Sequence, residues 1–313
     1  MLTYIARRLL STIPVMVMVA IVVFAILRLT PGDPAAIIAG DGATADQLAE
    51  MRAHMGLDKP VYVQFVAWIL QLAKGDLGVS LISGIPVSSM IAERIGPTSA
   101  LCLSIIVFSV IVAVPLGVIA AWRQGSLLDR GVMAFSVFGF SVPVFVIGYL
   151  LILVFSLTLN WLPVQGYSTL ADGFWPFAQR LVMPTLALST AYIALITRIT
   201  RTSVLEVMGE DYIRTARAKG LRERAVLTHH ALRNAAVPIV TIIGVGVAAL
   251  ISGVVVTESV FNLPGLGRLV VEAVLARDYP VIQGLILFFS FVYIMINLIV
   301  DVLYTVFDPR IRY

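Results

Sequence analysis

Six long stretches of this 313-residue chain carry no Asp, Glu, Lys or Arg: residues 9–27, 96–122, 131–159, 181–197, 234–257 and 279–300. A helix needs about 20 mostly apolar residues to cross a hydrocarbon core of about 30 Å, so each stretch reads as a membrane span. Composition agrees. Only 13% of residues are charged and 59% are apolar, with a mean hydropathy of +0.98, where soluble domains carry about 25% charge. A soluble globule, a disordered chain and a disulfide scaffold are all excluded, the last because Cys102 is the single cysteine. The expected fold is all-α and integral to a membrane, with six transmembrane helices. Several spans contain Gly or Pro (Pro14, Pro115, Gly117, Gly139, Pro143), which membrane helices tolerate where neighbours satisfy the backbone. The fourth stretch is the shortest and extends past Arg198 if that side chain snorkels.

Orientation follows from the bias of Lys and Arg toward inner loops. With the N-terminus inside, the inner segments hold fourteen of the 22 basic residues, among them Arg7, Arg8, Arg123, Arg130 and those of residues 198–233. The outer loops 160–180 and 258–278 hold only Arg180, Arg268 and Arg277. Both termini are therefore placed in the cytoplasm. The net charge of +4 reflects this topology and calls for no nucleic acid. The first span is too long for a signal peptide, and Thr30-Pro31-Gly32-Asp33-Pro34 offers no small-x-small cleavage pattern.

The chain divides into an N-terminus with its first span (1–29), an extracytoplasmic segment (30–95) and a core with five further spans (96–313). Three short helices are expected in the outer segment. Thr44 caps residues 45–55, with Leu48, Met51 and Met55 on one face and Gly56 as the stop. Pro60 opens residues 61–73, which carry Phe65, Trp68, Ile69 and Leu72 and end at Gly75. Residues 86–94 place Val87, Met90 and Ile91 on one side. These amphipathic pieces read either as a cap over the outer ends of the spans or as a direct substrate contact.

The inner loop, residues 198–233, is the most informative segment. It holds eight basic and four acidic residues. Within it Thr215, Ala216 and Gly220 are small, and Ala216 and Gly220 are expected on one helical face, permitting close backbone approach. Gly220 also suits a helix end before a second short helix near Arg222. A helix, a glycine break and a helix with projecting basic residues form a rigid projection into the cytosol. An inner loop whose charges only set topology is the other reading that the residues allow.

Other chemistries are poorly served. A phosphate-cradling loop needs Gly-x-x-x-x-Gly-Lys-Ser/Thr, but Lys59, Lys74 and Lys219 are followed by Pro60, Gly75 and Gly220. A self-contained secondary transporter or channel is the rival reading. Ion-coupled carriers usually hold ionisable groups at mid-depth, yet Arg28 lies at the outer end of the first span and Asp301 near the inner end of the sixth. No metal site is expected, since the histidines are only His54, His229 and His230. No catalytic residue is expected either, as a Gly-x-Ser-x-Gly elbow is absent. Ser141 and Pro143, whose backbone carbonyls a kink would open, and Asn297, read as an interhelical hydrogen-bonding group, are candidates for a translocation path.

The stretch Glu210-Asp211-Tyr212-Ile213-Arg214-Thr215-Ala216-Arg217-Ala218-Lys219-Gly220-Leu221, followed by His230-Ala231-Leu232-Arg233-Asn234-Ala235 and Pro238, resembles the EAA loop of ABC-importer permeases. Its wording is that of the dipeptide, oligopeptide, glutathione and nickel branch. Thr30-Pro31-Gly32-Asp33-Pro34, Gly56-Leu57-Asp58-Lys59-Pro60, Gly75-Asp76-Leu77-Gly78, Phe261-Asn262-Leu263-Pro264-Gly265-Leu266-Gly267, Arg277-Asp278-Tyr279-Pro280 and Asp308-Pro309-Arg310-Ile311-Arg312-Tyr313 are similar to further phrases of that branch. Arg214 stands where the general motif has its glutamate, and the proline comes later, at Pro238.

The resemblance implies the permease fold of type I ABC importers in a bacterial or archaeal cytoplasmic membrane. It implies transport of short peptides or glutathione, with this chain forming half of the pathway. The implied partners, besides membrane lipid, are a second homologous permease, two cytoplasmic ATPase subunits and an extracytoplasmic solute-binding protein. The chain itself is then no enzyme and holds no cofactor; ATP and magnesium belong to the ATPases. Carried over by position, Asp211, Tyr212, Thr215, Ala216, Arg217, Lys219, Gly220 and Leu221 form the ATPase-coupling contact. Phe261, Asn262, Gly265 and Gly267 are the candidates for contact with the binding protein at the outer face.

Overall fold

The computed structural model describes residues 2–29, 35–36, 43–54 and 56–307. The phrases 30–34 and 308–313, the side chains of Arg7, Arg8, Arg28, Met51 and Met55, and those of Arg310 and Arg312 lie outside what is described. The described chain is almost wholly helical. In order come α1 (Leu2–Leu29), α2 (Ala45–His54), α3 (Val61–Ala73), α4 (Val87–Trp122), α5 (Leu127–Ser141) and α6 (Val144–Thr158). These are followed by α7 (Phe174–Met208), α8 (Asp211–Ala218), α9 (residues 223–234), α10 (Ala236–Val260), α11 (Leu266–Leu275) and α12 (Tyr279–Phe307). The second half of α6 and the middle of α9 are wound as π-helix (Ile152–Thr158 and Val226–Ala231).

Among the described residues, α4, α7, α10 and α12 are each long and apolar enough to cross a membrane. The third expected span is broken: α5 and α6 meet at 101°. Pro143 has no N–H to continue the ladder and holds Val142 in an extended conformation (φ −92°, ψ 123°). The first expected span lies in α1, whose described apolar stretch is Leu10–Ile26. Six straight crossings are thus replaced by four, a bent pair and α1. The fourth stretch does run on through Arg198, giving a 35-residue α7.

The outer segment follows its caps closely. Thr44 and Gln47 exchange hydrogen bonds of 2.9 and 3.3 Å at the start of α2. Phe65 and Trp68 of α3 pack on Phe24 of α1, with ring centroids 5.2 and 5.6 Å away, so this helix rests against the first span. The third expected surface helix is corrected. Residues 86–94 are the first turns of α4, which continues through Pro97 as one 36-residue helix. What holds them in line is burial of Val87 and Ile91 against Leu266, Leu269, Val281 and Leu285.

α7 sits at the centre. Lipid is as apolar as leucine, so helices in it associate through close packing and hydrogen bonds more than through a hydrophobic drive. Gly117 of α4 shows the close packing: a Cβ there would lie 2.6 Å from Thr200 Cβ and 2.7 Å from the Thr197 carbonyl of α7. Leu101, Ile105, Met183, Leu188, Leu250 and Val254 form the main core among α4, α7 and α10. A second cluster, where α4 and α7 end, joins Ala121 and Val204 to Leu227, Ala231 and Ala235, and so seats α9 against α4 and α7.

Candidate functional site

α7 ends at Met208, and the chain turns through Gly209 and Glu210 into α8. Ile213 and Ala216 of α8 are buried with Val226 of α9 against Val207 and Met208. Gly220 then takes φ +79°, the left-handed conformation that lets the chain reverse. The reversal is closed by the Gly220 N–H on the Arg217 carbonyl (2.9 Å) and the Leu221 N–H on the Ala216 carbonyl (3.3 Å). Across it Arg217 donates twice to Glu223, at 2.7 and 3.3 Å. The result is a short, rigid helix-turn-helix whose outward residues are Asp211, Tyr212, Thr215, Arg217, Lys219, Gly220 and Leu221. Burial and the Glu210 carboxylate push the Tyr212 phenol above its usual range.

One expectation for this loop is corrected. Ala216 does not lie on an outer face with Gly220; it is 6% exposed and faces Val226, while Gly220 lies beyond the end of α8. The small side chain at 216 admits α9. Of the three cations in residues 211–221, Arg214 pairs with Asp211 (3.2 Å) and Arg217 with Glu223, which leaves Lys219 without a carboxylate partner among the described residues.

Directly above, Arg201 of α7 donates to both carboxylate oxygens of Asp129 at 2.5 and 2.8 Å, and the Gly125 N–H adds 2.9 Å. Asp129 is buried, so this pair pins the base of α5 to the helix that carries the loop. Sequence reasoning counted Arg201 only as a topology charge. The i, i+3 caps visible in the sequence gave no sign of a partner 72 residues away.

The path candidates fall at separate places. Ser141 and Pro143 are exposed at the α5–α6 break, and the Ser141 hydroxyl donates to the Val137 carbonyl (2.8 Å). Asn297 is corrected: its amide donates to the Tyr293 carbonyl of its own helix at 2.9 Å, with no interhelical bond among the described residues.

At the end of the bundle away from α8, the phrase 261–267 is wrapped around Glu258, which is fully buried. Thr98 donates to Glu258 Oε1 (2.6 Å), the Arg268 N–H to Oε2 (3.1 Å), and the Leu266 N–H to Thr98 Oγ1 (2.8 Å). A Cβ on Gly265 would fall 2.0 Å from Glu258 Oε1, and one on Gly267 would fall 2.6 Å from Val255 Cα. Phe261, Gly265 and Gly267 are therefore interior, and of the four outer-face candidates only Asn262 is exposed. Glu258, read from sequence as the first residue of an outer loop, was missed as the centre of this motif.

Residues 113–313 match the family described as binding-protein-dependent transport system inner membrane component. Residues 1–102 match the N-terminal family of the same transport-system membrane components. A probable peptide ABC transporter permease protein of Sinorhizobium fredii is 53% identical, with 99% of each chain covered. A putative peptide transport system permease protein of Brucella abortus and the glutathione transport system permease protein GsiC of Salmonella choleraesuis are each 45% identical over the full length of both chains. Among solved structures, the inward-facing methionine ABC transporter MetNI superposes with a TM-score of 0.59 at 16% identity, covering 71% of this chain and 97% of that one. At that identity the likeness speaks for the fold.

Proposed function

This chain belongs to the binding-protein-dependent transport system inner membrane component family, and on that premise we propose that it passes short peptides or glutathione inward as one half of an ATP-driven pathway. The chain is an integral, multi-pass permease subunit of an ABC importer. The substrate class rests on relatives whose names specify peptide or glutathione transport and which match end to end. In this reading a second permease completes the pathway, two ATPases dock from the cytoplasm, and an external binding protein delivers the solute. ATP and magnesium are held by the ATPases. Both termini and the loop 198–233 face the cytoplasm, in keeping with the basic inner segments.

The observation that carries the coupling role is the projecting α8–Gly220–α9 unit. Its outer residues Asp211, Tyr212, Thr215, Arg217, Lys219, Gly220 and Leu221 stand on a base of Ile213, Ala216 and Val226. An ATPase that grips this unit moves α7 directly, since only Gly209 and Glu210 intervene. Motion of α7 reaches α4 through the Gly117 contact and α5 through Arg201–Asp129. Closing and reopening of the ATPases then biases the pathway between outward and inward openings.

Purification from the native membrane with mass spectrometry of co-purifying chains tests this reading. Two ATPases and a second permease are expected. A lone homomer that transports in liposomes under an ion gradient overturns it in favour of a secondary transporter.

A further inference from the structure

The break between α5 and α6 is a place in a span where the backbone is left open. Pro143 has no N–H to offer the Gly139 carbonyl. No backbone N–H among the described residues reaches the carbonyls of Phe140, Ser141 or Val142; the Val142 N–H serves Phe138, and those of Val146 and Ile147 serve Pro143. Such backbone at membrane depth persists only against protein or a water-filled cavity, because hydrocarbon satisfies none of it.

Beside this break stands a cation. α7 is the most enclosed helix of the fold, and between Val182 and Arg198 none of its residues is exposed; Arg198 itself is. Its guanidinium lies 5.8 Å from the ring centroid of Phe140, the residue before Ser141. No carboxylate among the described residues pairs with it. Its depth follows from the packing: Gly117 of α4 touches Thr200, and α4 continues five residues further to Trp122, or about 8 Å at the α-helical rise. Arg198 thus enters the chain's apolar layer from the inner side and is aimed toward the break. One turn above it, at i−4, Ala194 meets Gly139 of α5, where a Cβ would lie 3.2 Å away. The end of α5 is therefore held against the stripe of α7 that carries Arg198.

We propose that Arg198 and the open carbonyls of Ser141 and Val142 form a transient substrate subsite in the translocation path, Arg198 taking the terminal carboxylate of a short peptide and the carbonyls its N–H groups. The inference rests on the peptide reading above and adds a location and a polarity to it. A planar guanidinium matches a carboxylate with two parallel hydrogen bonds. Free carbonyls and the Ser141 hydroxyl supply acceptors for donors that a peptide carries and a lipid tail lacks. One cation without a deep enclosed cage suits a site that must release what it holds.

The test uses the assembled importer in proteoliposomes, with trialanine as probe and the single cysteine removed by Cys102→Ala. Ser141→Cys is expected to react with membrane-impermeant methanethiosulfonates, faster with the anionic reagent than with the cationic one. Trialanine slows the anionic reaction. Adding Arg198→Gln is expected to reverse that charge preference and to lower trialanine import by about tenfold or more, the loss of a charge-assisted pair, with Arg198→Lys retaining part of it. A cysteine at 141 inert to both reagents, with and without ATP, means that the break faces lipid or a partner helix and overturns the inference. Wild-type import in the Arg198→Gln complex overturns it as well, and leaves Arg198 as a snorkelling headgroup contact. A wild-type complex that takes up no trialanine fails the peptide reading itself, and the subsite with it.

Discussion

Replacing Glu258 by alanine removes the one acceptor that the outer end of the permease is folded around. The Thr98 hydroxyl and the Arg268 N–H both point at its carboxylate, and Thr98 in turn receives the Leu266 N–H. With the side chain fully buried, no water replaces it, and each donor left unpaired costs about 1–3 kcal/mol. Thr98 can turn its proton to a helix carbonyl, so the stranded Arg268 N–H and the void left by the lost side chain put Glu258→Ala on the order of 2–5 kcal/mol. Glu258→Gln behaves differently. Its carbonyl still accepts from Arg268, and its amide donates to Thr98 Oγ1, whose own proton can turn to a carbonyl one helical turn back. The glutamine therefore costs no more than about 1.5 kcal/mol. The assay is denaturant unfolding of the purified chain in mixed micelles, read alongside protease cleavage in the loop 261–267. Alanine is expected to shift the midpoint strongly and expose the loop, glutamine only slightly. Equal effects of the two, or neutrality of alanine, would refute the claim that hydrogen bonding to a buried acceptor holds this loop.

Gly220→Ala meets no atom within 4 Å, so its cost is the left-handed backbone alone, about 1–2 kcal/mol; transport-linked ATP hydrolysis is expected to fall while membrane insertion holds, with Gly220→Asn closer to wild type, and unchanged hydrolysis removes the turn from coupling. Arg201→Ala strands a buried Asp129 and is expected to cost about 2–3 kcal/mol, below the range for a fully buried pair because Arg201 keeps some solvent; a double-mutant cycle with Asp129→Ala should recover part of that loss, and strict additivity denies the coupling. Arg217→Ala removes a half-exposed pair worth about 0.2–1 kcal/mol, so its unfolding midpoint should barely move even where ATPase docking, measured by pull-down, declines. Gly117→Val places a branched side chain where Thr200 and the Thr197 carbonyl lie within 3 Å; the variant is expected not to accumulate in membranes, and normal accumulation contradicts the α4–α7 packing.

Much of the projecting helix-turn-helix was legible in the sequence because its signals are local. The end of α8, the turn at Gly220 and the start of α9 after Arg222 follow from neighbouring residues, as do the cap at Thr44 and the bounds 61–73 of α3. The inward turn of Ala216 was not legible, since it depends on Val226 arriving from another helix. Glu258 was hidden for a related reason. Its donors sit on Thr98 and Arg268, and no periodicity near residue 258 announces them.

Proline divides the two kinds of knowledge most clearly. Pro14, Pro97, Pro115 and Pro184 lie inside continuous helices, while Pro143 ends one and turns the chain by 101°. Read as letters they are the same: a missing N–H in an apolar run. Charge-free length determined by itself that this chain enters a membrane and where its long apolar stretches lie, because the cost of burying charge and backbone in hydrocarbon acts on every residue wherever it packs. Which proline breaks, which arginine finds a carboxylate and which stands open beside Ser141 were decided only when α4, α5, α7 and α10 came together. Those outcomes depend on partners tens of residues away, whose contacts exist in the folded molecule and leave no mark on the local pattern.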